Sequence, residues 1–309
     1  MEFVWLLVGF FLLLYSGKYL VNGSVAIAEK LNVSKLVIGV TVVSFGTSAP
    51  ELFVSALATY NGHPELAIGN VVGSNIANIA LVLAITVLII PIPVKKNTVL
   101  FDTPFMIGVS IVLFIVAAFG KLNYITGLFF WALLLTFIIH SIKKSRKESL
   151  GAEEVEHVRS LWLAILFVLL SSVGLAVGSK LLVDNASIIA SNLGVSERII
   201  AITMIAFGTS LPELATSVIA AMKKEMDISV GNIVGSNIYN ILAVLGISAL
   251  IKPIPVSSEF IKTDMPLMLA IAVLLFLFIL PVKRSKLNRW NGLVLLLVYA
   301  VYVTYLVMQ

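Results

Sequence analysis

The chain has 309 residues, of which 60% are hydrophobic and 12% charged, and a mean hydropathy of +1.07. Soluble domains are about 45–50% apolar and about 25% charged, so a water-soluble globule is excluded and the membrane class remains. The formal charge of +5 marks no nucleic-acid partner, and with no cysteine there is neither a disulfide framework nor a thiolate metal site.

A spanning helix needs about 20 mostly apolar residues. Ten segments qualify in chain order, near 2–22, 36–60, 65–90, 99–119, 123–142, 160–183, 198–222, 227–251, 265–281 and 287–308. The first run, Phe3 to Leu14, lacks a basic leader and a small-residue cleavage site, so it reads as a retained helix. The one sizeable polar connector, Lys143 to Arg159, is too short for a folded regulatory domain and reads as a solvated linker. Asp102 and Asp264 stand two residues before Pro104 and Pro266, the pattern of a helix start, and are left out of any site. Lys and Arg concentrate in alternate loops, such as those with Lys30 and Lys35, Lys95 and Lys96, Lys143 to Arg159, and Lys223 and Lys224. The positive-inside bias therefore puts both termini outside and the linker in the cytoplasm.

The second half repeats the first at an offset of 162, which carries Lys18 to Lys180, Glu51 to Glu213, Ser74 to Ser236, Asp102 to Asp264, and Pro91 and Pro93 to Pro253 and Pro255. Residues 1–142 form a first five-helix repeat with its motif in 36–90. Residues 143–159 are the linker, and 160–309 a second five-helix repeat with its motif in 198–252. Five is odd, so the second copy enters the membrane from the opposite face. The expected fold is an all-α polytopic membrane protein, with ten transmembrane helices as two inverted five-helix repeats. Transporters of that design bind substrate near the midplane, on interrupted helices.

Gly46-Thr47-Ser48-Ala49-Pro50-Glu51 recurs as Gly208-Thr209-Ser210-Leu211-Pro212-Glu213. Pro50 has no N–H for the Gly46 carbonyl and crowds it, so the helix should break between Phe45 and Pro50. Carbonyls freed around Ser44, Gly46 and Thr47 then need positive partners, and Glu51 lies one turn beyond Thr47. The same holds for Ala206, Gly208, Thr209, Ser210 and Glu213. Two unpaired buried carboxylates would cost several kcal/mol each. No basic residue is close in sequence, and Lys18 and Lys180 lie near helix ends, where they snorkel. A divalent cation would balance both charges, and oxygen-only ligands suit Ca2+. His63, His140 and His157 lie in loops or at span ends, which disfavours a transition metal. In the third and eighth spans Ser74 and Asn78, and Ser236 and Asn240, share a helix face and offer neutral oxygens suited to a monovalent ion. Asn70, Asn75, Asn232 and Asn237 are candidates for bracing the helices, and the Gly pairs beside them for close packing. A single Ser or Thr in a membrane helix usually bonds the preceding turn. The weight therefore rests on two intramembrane glutamates in matching six-residue contexts.

These Gly-Thr-Ser-x-Pro-Glu and Gly-Ser-Asn-Ile-x-Asn pairs resemble the alpha repeats of the cation/Ca2+ exchanger superfamily, and within it the Na+/Ca2+ exchangers, over nearly the whole chain. The resemblance implies Ca2+ ligation by Glu51 and Glu213 with carbonyls at Thr47 and Thr209. It implies Na+ sites at Ser44, Thr47, Ser48, Ser74, Ala206, Thr209, Ser210 and Ser236, with Asn78 and Asn240 as midplane polar positions. It further implies antiport by alternating access, with the first and sixth helices sliding across the rest. The protein would then be a monomer in a prokaryotic plasma membrane that moves Ca2+ and Na+, has no prosthetic group and performs no enzymatic reaction. Asn240, where K+-dependent members carry Asp, argues against K+ co-transport. Ser74-Asn75 and Ser236-Asn237, where the H+-coupled branch has acidic residues, favour Na+. Coupling to H+ or K+, and more distantly a cation channel, stay open as alternatives.

Overall fold

The computed structural model describes residues 1–149, 160–194, 208–280 and 285–308. The end of the expected linker and the opening of the seventh expected span, with Ala206, lie outside them. The described chain is nearly all helical: α1 Glu2–Lys30, α2 Lys35–Thr47, α3 Ala49–Tyr60, α4 Glu65–Ile89, α5 Thr98–Ala117, α6 Tyr124–Lys147, α7 Leu161–Asn192, α8 Leu211–Met222, α9 Met226–Ile251, α10 Phe260–Phe278 and α11 Arg289–Met308. Eight of these are long and apolar enough to cross a membrane, and α2 with α3 makes a ninth span bent by 45°. The shorter α8 occupies the second part of the seventh expected span.

Burial sorts these helices into a centre and a rim. The apolar stretches of α4 and α9 are 78% and 89% buried, whereas those of α1 and α7 are 33% and 28%. Val71, Ile76, Ile79, Ile233, Ile238 and Ile241 form the heart of the core. Outward faces carry bare apolar side chains such as Phe53, Trp162 and Val301, as a lipid-facing surface requires. Glycine sets how closely the centre packs: a Cβ on Gly231 of α9 would lie 2.9 Å from the Leu36 carbonyl oxygen of α2. At the rim, Gly9 faces Gly178 and Gly23 faces Ala164, so α1 and α7 pack against each other antiparallel.

The duplication reappears in local geometry. Wide π turns occupy Asn78–Leu83 and Asn240–Leu245, and again Thr98–Asp102 and Phe260–Asp264, each pair at the offset of 162. Two short ribbons, absent from the sequence-based expectation, tie the halves together crosswise. β1 (Ile92–Pro93) pairs with β4 (Lys286–Leu287), and β2 (Lys121–Leu122) pairs with β3 (Ile254–Pro255), both antiparallel.

Two expectations about helix bounds are corrected. α1 and α7 run on to Lys30 and Asn192, well past the expected 22 and 183. Apolarity measures bilayer thickness, whereas the α1 ladder persists until Asn32 turns left-handed, with φ 51°. Asp102 and Asp264 do not open their helices either: α5 and α10 begin a full turn earlier, and both aspartates are buried. Pro104 and Pro266 fall in the first α-helical turn after each π turn, so each proline follows a turn already wound. Asp102 accepts from Asn97 Nδ2 at 3.2 Å, and Asp264 from the Tyr302 hydroxyl at 3.1 Å.

Candidate cation site

The two motif copies meet where their helices are interrupted. Ser48 leaves helical geometry (φ −85°, ψ 5°) between α2 and α3, and Ser210 does the same (φ −85°, ψ 0°) before α8. Each restart has its proline in the first turn, so Pro50 and Pro212 cost no ladder bond there. Glu51 and Glu213 therefore stand in the first turns of α3 and α8, at the partly positive helix ends that favour carboxylates. The break falls within the expected Phe45–Pro50 window. It comes after Ser44, whose carbonyl keeps its helical donor, Ser48 N, at 2.9 Å. The expectation of a freed Ser44 carbonyl is thus corrected.

Both carboxylates are fully buried. Ser48 Oγ donates to Glu213 Oε1 at 3.2 Å. Among the described residues, Glu213 Oε2 and both carboxylate oxygens of Glu51 have no hydrogen-bond partner. Neither glutamate forms an ion pair among the described residues. Ser210 Oγ, both polar atoms of Asn78, and Asn240 Oδ1 are likewise buried and unpartnered. Buried polar groups are bonded in the great majority of cases, so this gathering of idle oxygens on motif residues of both halves is exceptional.

The surrounding polar groups hold the motifs in place. Asn70 Nδ2 donates to Ser55 Oγ at 2.9 Å and to the Glu51 carbonyl at 3.4 Å. Asn232 Nδ2 makes the matching bonds, 3.0 Å to Ser217 Oγ and 3.5 Å to the Glu213 carbonyl. Thr47 Oγ1 donates to Asn232 Oδ1 at 2.9 Å and lies 3.3 Å from Ser236 Oγ, while Ser74 Oγ lies 3.2 Å from Thr209 Oγ1. Asn240 Nδ2 donates to Asn75 Oδ1 at 3.1 Å, and Asn75 Nδ2 to the Asn237 carbonyl at 3.2 Å. Asn70 and Asn232 thus brace the motifs as expected. Ser55 and Ser217, which fix those braces, were missed; their signal was the same offset, four residues past each glutamate. Ser44 is the least available of the expected ligands. Its hydroxyl donates to Gly39 O at 2.8 Å and lies 3.1 Å from Asn232 O.

The donor set is two carboxylates with hydroxyl and side-chain amide oxygens. Among the described residues no three His, Cys, Asp or Glu side chains cluster as a conventional metal centre. Such a set is hard, oxygen-only and doubly negative, which suits Ca2+ or a group of monovalent cations and not a soft transition metal.

The family model described as sodium/calcium exchanger protein matches residues 1–143 and 163–308. CaxA of Alkalimonas amylolytica is 38% identical over 307 residues, covering 97% of this chain and 96% of that protein. The sodium/calcium exchanger MaX1 of Methanosarcina acetivorans is 32% identical over 346 residues, covering 99% and 98%. Among solved structures, the sodium-calcium exchanger NCX_Mj soaked without Na+ and Ca2+ matches with a TM-score of 0.84 at 33% identity, covering 99% of this chain and 98% of that one. This chain belongs to the sodium/calcium exchanger protein family, and is a multi-pass transmembrane ion exchanger.

Proposed function

We propose that this protein exchanges Na+ for Ca2+ across the membrane by alternating access. Glu51 and Glu213 hold Ca2+ together with carbonyl oxygens at Thr47 and Thr209. Ser44, Ser48, Ser74, Asn78, Ala206, Ser210, Ser236 and Asn240 supply the Na+ or midplane polar positions. One observation carries this: two fully buried carboxylates that, among the described residues, are unpaired and stand amid unpartnered oxygens from both halves. Burial of charge on that scale costs several kcal/mol per group, and a cation bound between the glutamates removes the penalty. Because both ions need the same carboxylates, loading one set disfavours the other. That competition couples the two fluxes.

In this reading ten spans form two inverted repeats, 1–142 and 160–309, joined by a cytoplasmic linker at 143–159, with both termini outside a prokaryotic plasma membrane. The antiparallel packing of α1 on α7, which are counterparts at the offset of 162, supports the inversion. So do the ribbons: each joins two loops that the charge pattern puts on one side. α1 and α7 are the natural moving pair, being little buried and meeting through glycine, while α4 and α9 stay fixed. The monomer is complete for transport, since both motif copies come from one chain.

The test is radiolabelled Ca2+ uptake by vesicles loaded with Na+. Uptake should follow the outward Na+ gradient and ignore imposed K+ and pH gradients. Uptake indifferent to Na+ would overturn Na+ coupling, and uptake needing no counter-ion would indicate a channel.

A further inference from the structure

The two halves differ where α5 meets α6 and where their counterparts α10 and α11 meet. In the first half this seam is filled by aromatic rings. Phe105 stacks on Phe137 at 4.5 Å, and Phe101 lies 6.0 Å from Phe137 and 4.7 Å from the His140 ring. The offset of 162 places Thr263 and Leu267 where Phe101 and Phe105 stand. The repeated Lys-Leu-Asn of β2 and β4 sets the last helices apart by 165, which places Tyr302 and Tyr305 where Phe137 and His140 stand. Two phenylalanines have become a threonine and a leucine, and nothing in the described chain takes up the space. What remains is an open groove of about 640 Å³, with an almost wholly apolar wall including Leu267 and Val298. Tyr302 adds no polar atom, because its hydroxyl is turned to Asp264 at 3.1 Å.

One charge stands in this groove. Lys262, at the membrane-entry end of α10 beside the β3 loop, is exposed and replaces Leu100 of the first half. Glu259 precedes it by one turn, yet Lys262 has no carboxylate within ion-pair distance among the described residues. A long apolar groove on the lipid-facing side, closed at the interface by one unpaired ammonium, matches a phospholipid with a negative headgroup. We infer that the α10–α11 groove is a binding site for an anionic phospholipid of the bilayer, with an acyl chain along Leu267 and Val298 and the headgroup phosphate on Lys262. The volume is that of an ordinary small-ligand site, about 300–1,000 Å³, and an exposed ammonium at the interface is a charge-assisted partner for a headgroup phosphate.

The experiment is native mass spectrometry of the intact protein, released from nanodiscs of mixed phosphatidylglycerol and phosphatidylcholine. Wild type should retain one phosphatidylglycerol in preference to phosphatidylcholine by about fivefold, the factor equivalent to about 1 kcal/mol for one basic residue at the surface. Lys262→Gln should erase the preference while phosphatidylcholine is still retained. Thr263→Phe combined with Leu267→Phe, which rebuilds the first half's aromatic filling, should lose both lipids. Because Lys262 is an exposed side chain, Lys262→Gln decides the question even if the double variant folds poorly. An unchanged preference in Lys262→Gln would overturn the assignment. So would full lipid retention by a folded double variant, or a lipid-free wild-type dimer that Thr263→Phe dissociates.

Discussion

At the centre the two halves repeat the bonds that brace the glutamates, and at the rim they part. Asn70 and Asn232 brace Glu51 and Glu213 with distances that agree to 0.1 Å, and the Thr47–Ser236 contact mirrors Ser74–Thr209. On the lipid side, stacked phenylalanines face an open groove, and Leu100 faces Lys262. The centre also departs from symmetry: Ser48 donates to Glu213 and Asn240 to Asn75, while Ser210 Oγ and the Asn78 side chain have no partner among the described residues. The difference teaches where the two copies share one task. In the proposed exchange, both copies present their oxygens to the same ion around the glutamates. Against lipid, any apolar filling serves, and the copies are free to diverge.

That contrast predicts effects that shrink from centre to rim. The largest belongs to Gly235, where a Cβ would lie 2.6 Å from the Val40 carbonyl oxygen. Gly235→Leu should cost about 3 kcal/mol or more through overpacking against backbone, seen as a loss of folded protein in fluorescence-detected size exclusion. Next comes the ion itself. Saturating Ca2+, at about 100 times its dissociation constant, should stabilise the fold by about 2.7 kcal/mol in thermal unfolding, and chelation should remove that gain. Ser48→Ala removes a hydroxyl donor from the fully buried Glu213 and should destabilise the ion-free protein by about 1.5–3 kcal/mol. Ser210→Ala should cost less, and Ca2+ should narrow the gap between the two variants. The smallest effect lies at the helix ends: Lys95→Gln breaks a partly exposed bridge to Asp227 and should change stability by about 1 kcal/mol or less.

The sequence made the centre legible for a physical reason. A proline, a glycine and a carboxylate inside an apolar helix each carry a penalty that only a special site can offset, and the offset of 162 showed the penalty incurred twice. Ser55 and Ser217 were readable by the same rule, yet a hydroxyl one turn from a glutamate looks like an ordinary bond to the preceding turn until its asparagine partner is seen. The π turns after Asn78 and Asn240 left no sequence signal, because no proline or glycine forces the ladder to widen there. The crosswise ribbons depend on loops brought together by the fold, and two-residue strands have no periodicity to read. The groove between α10 and α11 was hidden because every residue in its apolar wall satisfies the pattern of a lipid-facing helix.

The central claim is that the two halves build one Ca2+ site with a glutamate from each. Equilibrium binding of radiolabelled Ca2+ to purified wild type, Glu51→Gln and Glu213→Gln tests it most directly, with circular dichroism as the check on folding. One saturable site in wild type, and a loss of about 100-fold or more in affinity in each variant, is the predicted result; that factor corresponds to about 2.7 kcal/mol. Wild-type affinity in either folded variant would contradict the shared site.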